Sequence, residues 1–107
     1  MTTWFVSRHP GANAWAQAQG LHIDRYVSHL DTTQIQPGDT VIGTLPVQLA
    51  ASVCSQGARF LNVSLDLPAH WRGRELSADE LRQCKARLEC FDVRTSPAPL
   101  PTKIVST

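Results

Sequence analysis

TTWFVSRHPGANAWAQAQG, residues 2–20, is the stretch that decides the fold. Its first part is β-branched and aromatic, and it predicts a strand that ends near Ser7. Pro10 suits the first position of a helix because no N–H partner is needed there. The alanines after it favour a helix over residues 10–19 that stops at Gly20. A strand followed directly by a helix is the repeating unit of an α/β fold.

The same alternation continues along the chain. Val41 and Ile42 centre a strand without polar alternation, which is typical of a strand covered on both faces. Ser77 and Glu80 form a capping box that predicts a helix after residue 77. The predicted elements are strands over 23–30, 40–44, 58–65 and about 90–94, and helices from Pro46 to Gln56-Gly57 and over about 78–88.

The resulting order, β-α-β-β-α-β-α-β, predicts a Rossmann-like single α/β domain with a mostly parallel sheet flanked by helices. The connection over residues 31–39 carries no helix pattern. It is therefore either a short irregular crossover between parallel strands, or one pair of strands is antiparallel. We place the domain at residues 1–95 and a Pro-rich tail at 96–107, in which Ile104-Val105 can pair with another strand.

Composition limits the classes of protein to be considered. The chain has 107 residues and 42% hydrophobic content, as expected of one globular domain, and a domain this small gains core by forming a homodimer. Its net charge of +1 argues against a protein that coats long nucleic acid. The start resembles no secretory signal and no run is long enough to span a membrane, so we expect a cytoplasmic protein without membrane contact.

Several kinds of site are disfavoured by the absence of their patterns. Cys54, Cys84 and Cys90 include no close Cys-x-x-Cys pair, so we expect reduced thiols. There is no dinucleotide-binding G-x-G-x-x-G and no P-loop. His29 and Asp31 can supply two metal ligands, but spacing offers no third. We therefore expect neither a metal nor a cofactor.

Polar side chains follow four of the predicted strands where those strands end. In open parallel sheets, ligands bind beyond the carboxyl ends of the strands. Hydroxyl, imidazole and guanidinium groups are donors to phosphate oxygens, so this edge predicts a pocket for an anion, although each group can instead be a solvated strand end or a helix cap. The candidates are Ser7, Arg8, His9, Ser28, His29, Thr44, Ser64 and Asp66, with Arg72 and Arg74 in the next loop.

Four stretches resemble one known family. WFVSRHPGA at 4–12, SHLD at 28–31, GDTVIGTLPVQLAA at 38–51 and SLDLP with RGREL within 64–76 resemble the small standalone ring nucleases associated with type III CRISPR loci. That family is described as degrading cyclic oligoadenylate, a second messenger of antiviral signalling. The resemblance covers residues 1 to about 93. It implies a fold similar to the CRISPR-associated sensor (CARF-like) domains and a homodimer around one cyclic ligand.

The resemblance also implies a mechanism. The expected activity is metal-independent cleavage of cyclic oligoadenylate, with cyclic tetra-adenylate as the expected ring, in which a ribose 2′-OH attacks the adjacent phosphorus. Arg8 would stabilise the developing charge, and His9 or His29 would act as general acid or base. The remaining candidates would hold phosphate or ribose, with Arg72 and Arg74 closing over the ligand. Two alternatives stay open, a protein that only sequesters the messenger and a structural or regulatory dimer.

Overall fold

Five strands and three α-helices make up residues 1–101, the part of the chain that this computed structural model describes. The predicted order of elements is confirmed. Within that range no helix has the length and hydropathy needed to cross a bilayer. The predicted pairing of Ile104-Val105 lies outside the described residues. The elements are β1 (Thr3–Val6), α1 (Pro10–Ala18), β2 (Arg25–Val27), β3 (Thr40–Gly43), α2 (Val47–Ser55), β4 (Arg59–Ser64), α3 (Ala78–Gln83) and β5 (Arg87–Phe91).

The strands form one sheet in the order β2-β1-β3-β4-β5. Strands β1 to β4 are parallel to one another, and β5 runs antiparallel to β4. The mostly parallel, Rossmann-like sheet predicted from the sequence is therefore confirmed. Of the two alternatives for residues 31–39, the first is correct, since this segment is a short crossover with one 3-10 turn between strands that both run parallel to β1. The antiparallel pair, β4 with β5, lies elsewhere in the chain.

The helices cover both faces of the sheet. Neighbouring residues in a strand point to opposite faces, so Trp4 belongs to one apolar cluster and Phe5 to the other. Ala50 and Val53 of α2 pack in the Trp4 cluster. The Phe5 cluster takes residues from α1 and α3, including Leu81. The interior strand β1 is thus buried between two layers of helices.

The predicted bounds of β2, α3 and β5 need correction. Strand β2 is limited to Arg25–Val27, shorter than the predicted 23–30. Helix α3 ends at Gln83 rather than near 88, because Lys85 adopts a left-handed φ of 59° that a helix cannot continue through. The chain consequently turns early, and β5 begins at Arg87 instead of residue 90. The capping box that starts α3 is present as predicted.

One buried carboxylate ties the amino ends of β1 and β3 together. Asp39 is only 3% exposed. It accepts hydrogen bonds from the backbone N–H of Thr2 at 2.8 Å and of Gln36 at 3.0 Å, and from the Trp4 indole N–H at 3.3 Å. The Thr2 and Gln36 hydrogen bonds hold the pKa of Asp39 below its ordinary 3.8. The carboxylate therefore stabilises both the first strand and the crossover turn.

Replacing this carboxylate tests its contribution. Asp39→Asn is expected to lower the free energy of unfolding by about 1–3 kcal/mol at pH 7, because an amide N–H would face backbone N–H donors. Since the folded-state pKa is depressed below 3.8, the stabilisation is present above that pH and is lost as pH falls through the folded value. Urea unfolding at pH 7 and pH 3 should show a smaller gap between wild type and variant at pH 3. An equal gap at both would contradict this account.

Candidate functional site

A cleft of about 530 Å³ opens at the carboxyl edge of the sheet, the edge where β1 to β4 end. It lies where the order of the sheet reverses, since the chain leaves β1 toward β2 and leaves β3 toward β4. Crossovers of one hand that run in opposite directions put α1 and α2 on opposite faces, which leaves a crevice between β1 and β3. The predicted site residues that line the cleft are Ser7, Arg8, His9, Ser28, His29, Thr44 and Arg74.

Strand register brings three hydroxyl-bearing residues level with one another at this edge. Val6 pairs with Val27 of β2 and with Gly43 of β3. The next residue of each strand therefore comes level with the others, and these residues are Ser7, Ser28 and Thr44.

The turn after β1 is fixed by its own hydrogen bonds. The backbone N–H of Ser7 donates to the Val27 carbonyl at 2.9 Å, which continues the pairing of β1 with β2. Ser7 Oγ accepts the backbone N–H of His9 at 3.0 Å. Helix α1 then starts at Pro10, with His9 as its N-cap residue. Arg8 and His9 are thereby held between the end of a strand and the positive end of a helix.

Helix α2 begins at the opposite wall of the cleft. Pro46 is its N-cap residue, one position before the helix proper, and both Pro46 and Leu49 line the cleft. The sequence predicts a helix start at Pro46, but the first helical residue in the structure is Val47. Two helix N-termini thus border one cleft, and their partial positive charge favours an anion.

The floor and the rim of the cleft differ in polarity. Phe5, Val63 and Leu81 are buried and form apolar parts of the lining. Arg8 and His29 are exposed and lie at the rim. A buried apolar floor below cationic and hydroxyl groups suits a ligand that combines flat apolar rings with phosphate.

Arg74 lines the cleft and is already partnered on its far side. Its guanidinium lies 4.3 Å from the centre of the Trp71 ring and forms an ion pair with Glu80. Trp71 itself is half-buried and is not among the lining residues. The indole therefore packs on Arg74.

Three predicted site residues lie outside the cleft lining. Gly43 pairs with Asn62, so Val63 rather than Ser64 comes level with Thr44. Ser64 Oγ instead accepts the side-chain N–H of Asn62 at 2.8 Å.

The other two of these residues lie in the connection after β4. Asp66 pairs with Arg87 at 3.3 Å, because the antiparallel β5 returns beside the end of β4. Arg72 is exposed and follows the 3-10 turn at Ala69–Trp71.

Two glycines that the sequence analysis passed over shape the cleft. A Cβ on Gly43 would lie 2.6 Å from the Val6 carbonyl oxygen, and a Cβ on Gly11 would lie 1.9 Å from that of Leu76. The missing side chain at Gly11 lets the segment before α3 pack against the first turn of α1. That packing brings Glu75 to the cleft, where its carboxylate lies 2.9 Å from His9 Nδ1.

Asp31, which the sequence offers with His29 as a metal ligand, caps a turn in the structure. The Asp31 carboxylate accepts the backbone N–H of Thr33 at 3.0 Å and its hydroxyl at 2.6 Å, and so caps a 3-10 turn. These hydrogen bonds, the hydroxyl first, lower the pKa of Asp31. Across residues 1–101 no cluster of three or more His, Cys, Asp or Glu side chains is arranged to hold a metal ion.

The close approach at Gly11 gives a test with a defined sign. An alanine in an exposed helix normally raises stability by about 1 kcal/mol over glycine. Gly11→Ala should instead lower the free energy of unfolding by about 1–3 kcal/mol, because the new Cβ overlaps the Leu76 carbonyl oxygen. Chemical denaturation checks this. A variant as stable as the wild type would show that the 66–76 segment does not need this contact.

Comparison with known proteins gives one match. A family model described as "Putative CRISPR-associated protein (Cas_VVA1548)" matches residues 4–94, which include almost all of the sheet and its helices. No curated protein and no solved structure matches the chain.

Proposed function

Because the chain belongs to the Cas_VVA1548 family of CRISPR-associated proteins, we propose that it is a ring nuclease that binds and cleaves cyclic oligoadenylate in type III CRISPR signalling. The observation that carries the proposal is the cleft at the carboxyl edge, where Arg8, His9 and His29 gather above an apolar floor. The resemblance of four sequence stretches to ring nucleases supports the same conclusion.

The groups that line the cleft complement the chemistry of a cyclic oligoadenylate. Phosphate oxygens accept hydrogen bonds, and the cleft offers donors in the hydroxyls of Ser7, Ser28 and Thr44 and the guanidinium of Arg8. The N-termini of α1 and α2 add partial positive charge. The apolar floor offers contact area to adenine rings. A linked series of adenylates presents both kinds of surface.

Cleavage of a ribose phosphodiester needs a base, an acid and a charge stabiliser. In the proposed reaction a ribose 2′-OH attacks the adjacent phosphorus, the O2′–P bond forms and the P–O5′ bond breaks. One histidine takes the 2′-OH proton, and a second protonated group gives a proton to the leaving O5′. His9 and His29 line the cleft and are candidates for these roles, while Arg8 offsets the charge that grows on the phosphoryl oxygens. This route leaves a 2′,3′-cyclic phosphate and requires no metal ion.

A homodimer is part of the proposal. A cyclic ligand with internal symmetry is matched by two copies of one cleft around a two-fold axis. Val47, next to the cleft residue Pro46, is 70% exposed, which is high for a branched apolar side chain and compatible with burial against a second copy.

Cleavage of cyclic tetra-adenylate is the direct test. The wild type is expected to give linear products ending in a 2′,3′-cyclic phosphate, equally with and without EDTA. Arg8→Ala should lower kcat by about 10²- to 10³-fold, the usual cost of losing a charge-stabilising donor. Product formation is followed by chromatography and mass spectrometry.

Arg59→Ala is the matched control, because Arg59 is also an exposed arginine at a strand end but lies at the amino end of β4. It should cleave at the wild-type rate. Undiminished cleavage by Arg8→Ala would contradict the assignment of Arg8. Tight binding without any linear product would contradict the nuclease proposal and favour a protein that only sequesters the messenger.

A further inference from the structure

The imidazole of His9 has a carboxylate on one of its two nitrogens. His9 Nδ1 lies 2.9 Å from Glu75 Oε1, and both residues line the cleft. An ionised carboxylate can only accept, so Nδ1 carries the hydrogen and Nε2 of the neutral ring has a free lone pair. We propose that Glu75 is the positioning residue of the site, which selects this tautomer and leaves Nε2 of His9 as the proton acceptor. The catalytic part of this inference rests on the proposed function.

The backbone on both sides of the pair is anchored. Next to Glu75, Leu76 packs its carbonyl against Gly11 of α1, where no side chain could be accommodated. Ser77 follows as the N-cap of α3. His9 is held on the other side by its backbone hydrogen bond to Ser7 Oγ. Two independent segments are therefore fixed so that the imidazole and the carboxylate meet.

The pair is poorly placed to serve stability. His9 and Glu75 side chains are 62% and 70% exposed, and exposed ion pairs contribute little to folding. The charged groups that line the same cleft are Arg8, His29 and Arg74, and Arg74 is engaged by Glu80 and Trp71. Orientation of a cleft histidine accounts for the contact better than stabilisation does.

A second histidine–carboxylate contact, between His22 and Asp24, differs from the His9–Glu75 contact in its place and in the ring nitrogen involved. His22 Nε2 lies 3.2 Å from Asp24 Oδ1, but neither residue is in the cleft lining. That contact uses the other ring nitrogen. The Nδ1 contact occurs at the cleft, and it is the arrangement that leaves Nε2 for a ligand, as in catalytic carboxylate–histidine pairs.

The first test needs no nucleotide. Imidazole ¹⁵N NMR of the full chain at pH 8, with His9→Ala to assign the signals, should show the Nδ1–H tautomer in the wild type. Glu75→Leu should convert His9 to a mixture of tautomers, because the acceptor is lost. Glu75→Gln should keep Nδ1–H, because its amide oxygen still accepts. Glu89→Gln, on strand β5, is the matched control and should change nothing.

The second test uses cyclic tetra-adenylate. Glu75→Leu should lower kcat by about 10- to 10²-fold with KM nearly unchanged, less than the full loss of a general base. Glu75→Gln should recover most of that loss. In a His9→Ala background Glu75→Leu should cost nothing more, because the carboxylate acts through the imidazole.

The outcomes separate the two proposals. An unchanged His9 tautomer in Glu75→Leu overturns the positioning role, whether or not the protein cleaves the ring. A full additional loss in the His9→Ala background overturns it as well, as does a wild-type kcat in Glu75→Leu. If the tautomer changes as expected but the wild type forms no linear product, the positioning of His9 by Glu75 is supported and only the nuclease proposal fails.

Discussion

β1 is hydrogen-bonded in parallel on both sides, and the arrangement of the site depends on this pairing. Val6 is level with Val27 in β2 and with Gly43 in β3, so the chain leaves all three strands at one height. The first residues beyond them supply a row of hydroxyls, and Arg8 and His9 follow directly. Gly43 permits this spacing, since a side chain there would collide with the Val6 carbonyl. A register shift by one residue would remove the row and also move Trp4 and Phe5 each to the opposite face of the sheet.

The cleft is deep because the strand order reverses between β1 and β3. Helices α1 and α2 follow neighbouring strands but pack on opposite faces, so a crevice is left between their first turns. The polar turn of β1 and the N-terminus of α2 border this space, above buried apolar side chains. Glu75 enters from a third direction because Gly11 lets the segment before α3 approach. The same backbone contacts that hold the fold together thus also set the positions of the groups proposed to act on a ligand.

The local sequence predicted the helices and strands well, and it also predicted that most candidate site residues lie at the carboxyl edge of the sheet. Both features follow from short patterns. Strand-to-helix turns with proline, and hydroxyls at strand ends, are visible within a few residues of each other. Register is a longer-range property, and this is why Ser64 was expected in the site although Val63 is the residue level with Thr44. The contact of Glu75 with His9 spans 66 positions and depends on the packing at Gly11, which no local pattern reveals. The role of Asp39 was missed because an aspartate after Pro-Gly is also an ordinary turn residue.

The central claim is that a cyclic oligoadenylate binds at the carboxyl edge between β1 and β3. Titration of the ¹⁵N-labelled protein with cyclic tetra-adenylate, followed by backbone amide NMR and using a slowly cleaving variant such as Arg8→Ala, tests this claim directly. We predict that the amides around residues 7–9, 28–29 and 43–45 shift, while those around Asp39 and Arg59 at the opposite edge do not. Shifts confined to the amino edge, or none at saturating ligand with either Arg8→Ala or the wild type, would contradict it.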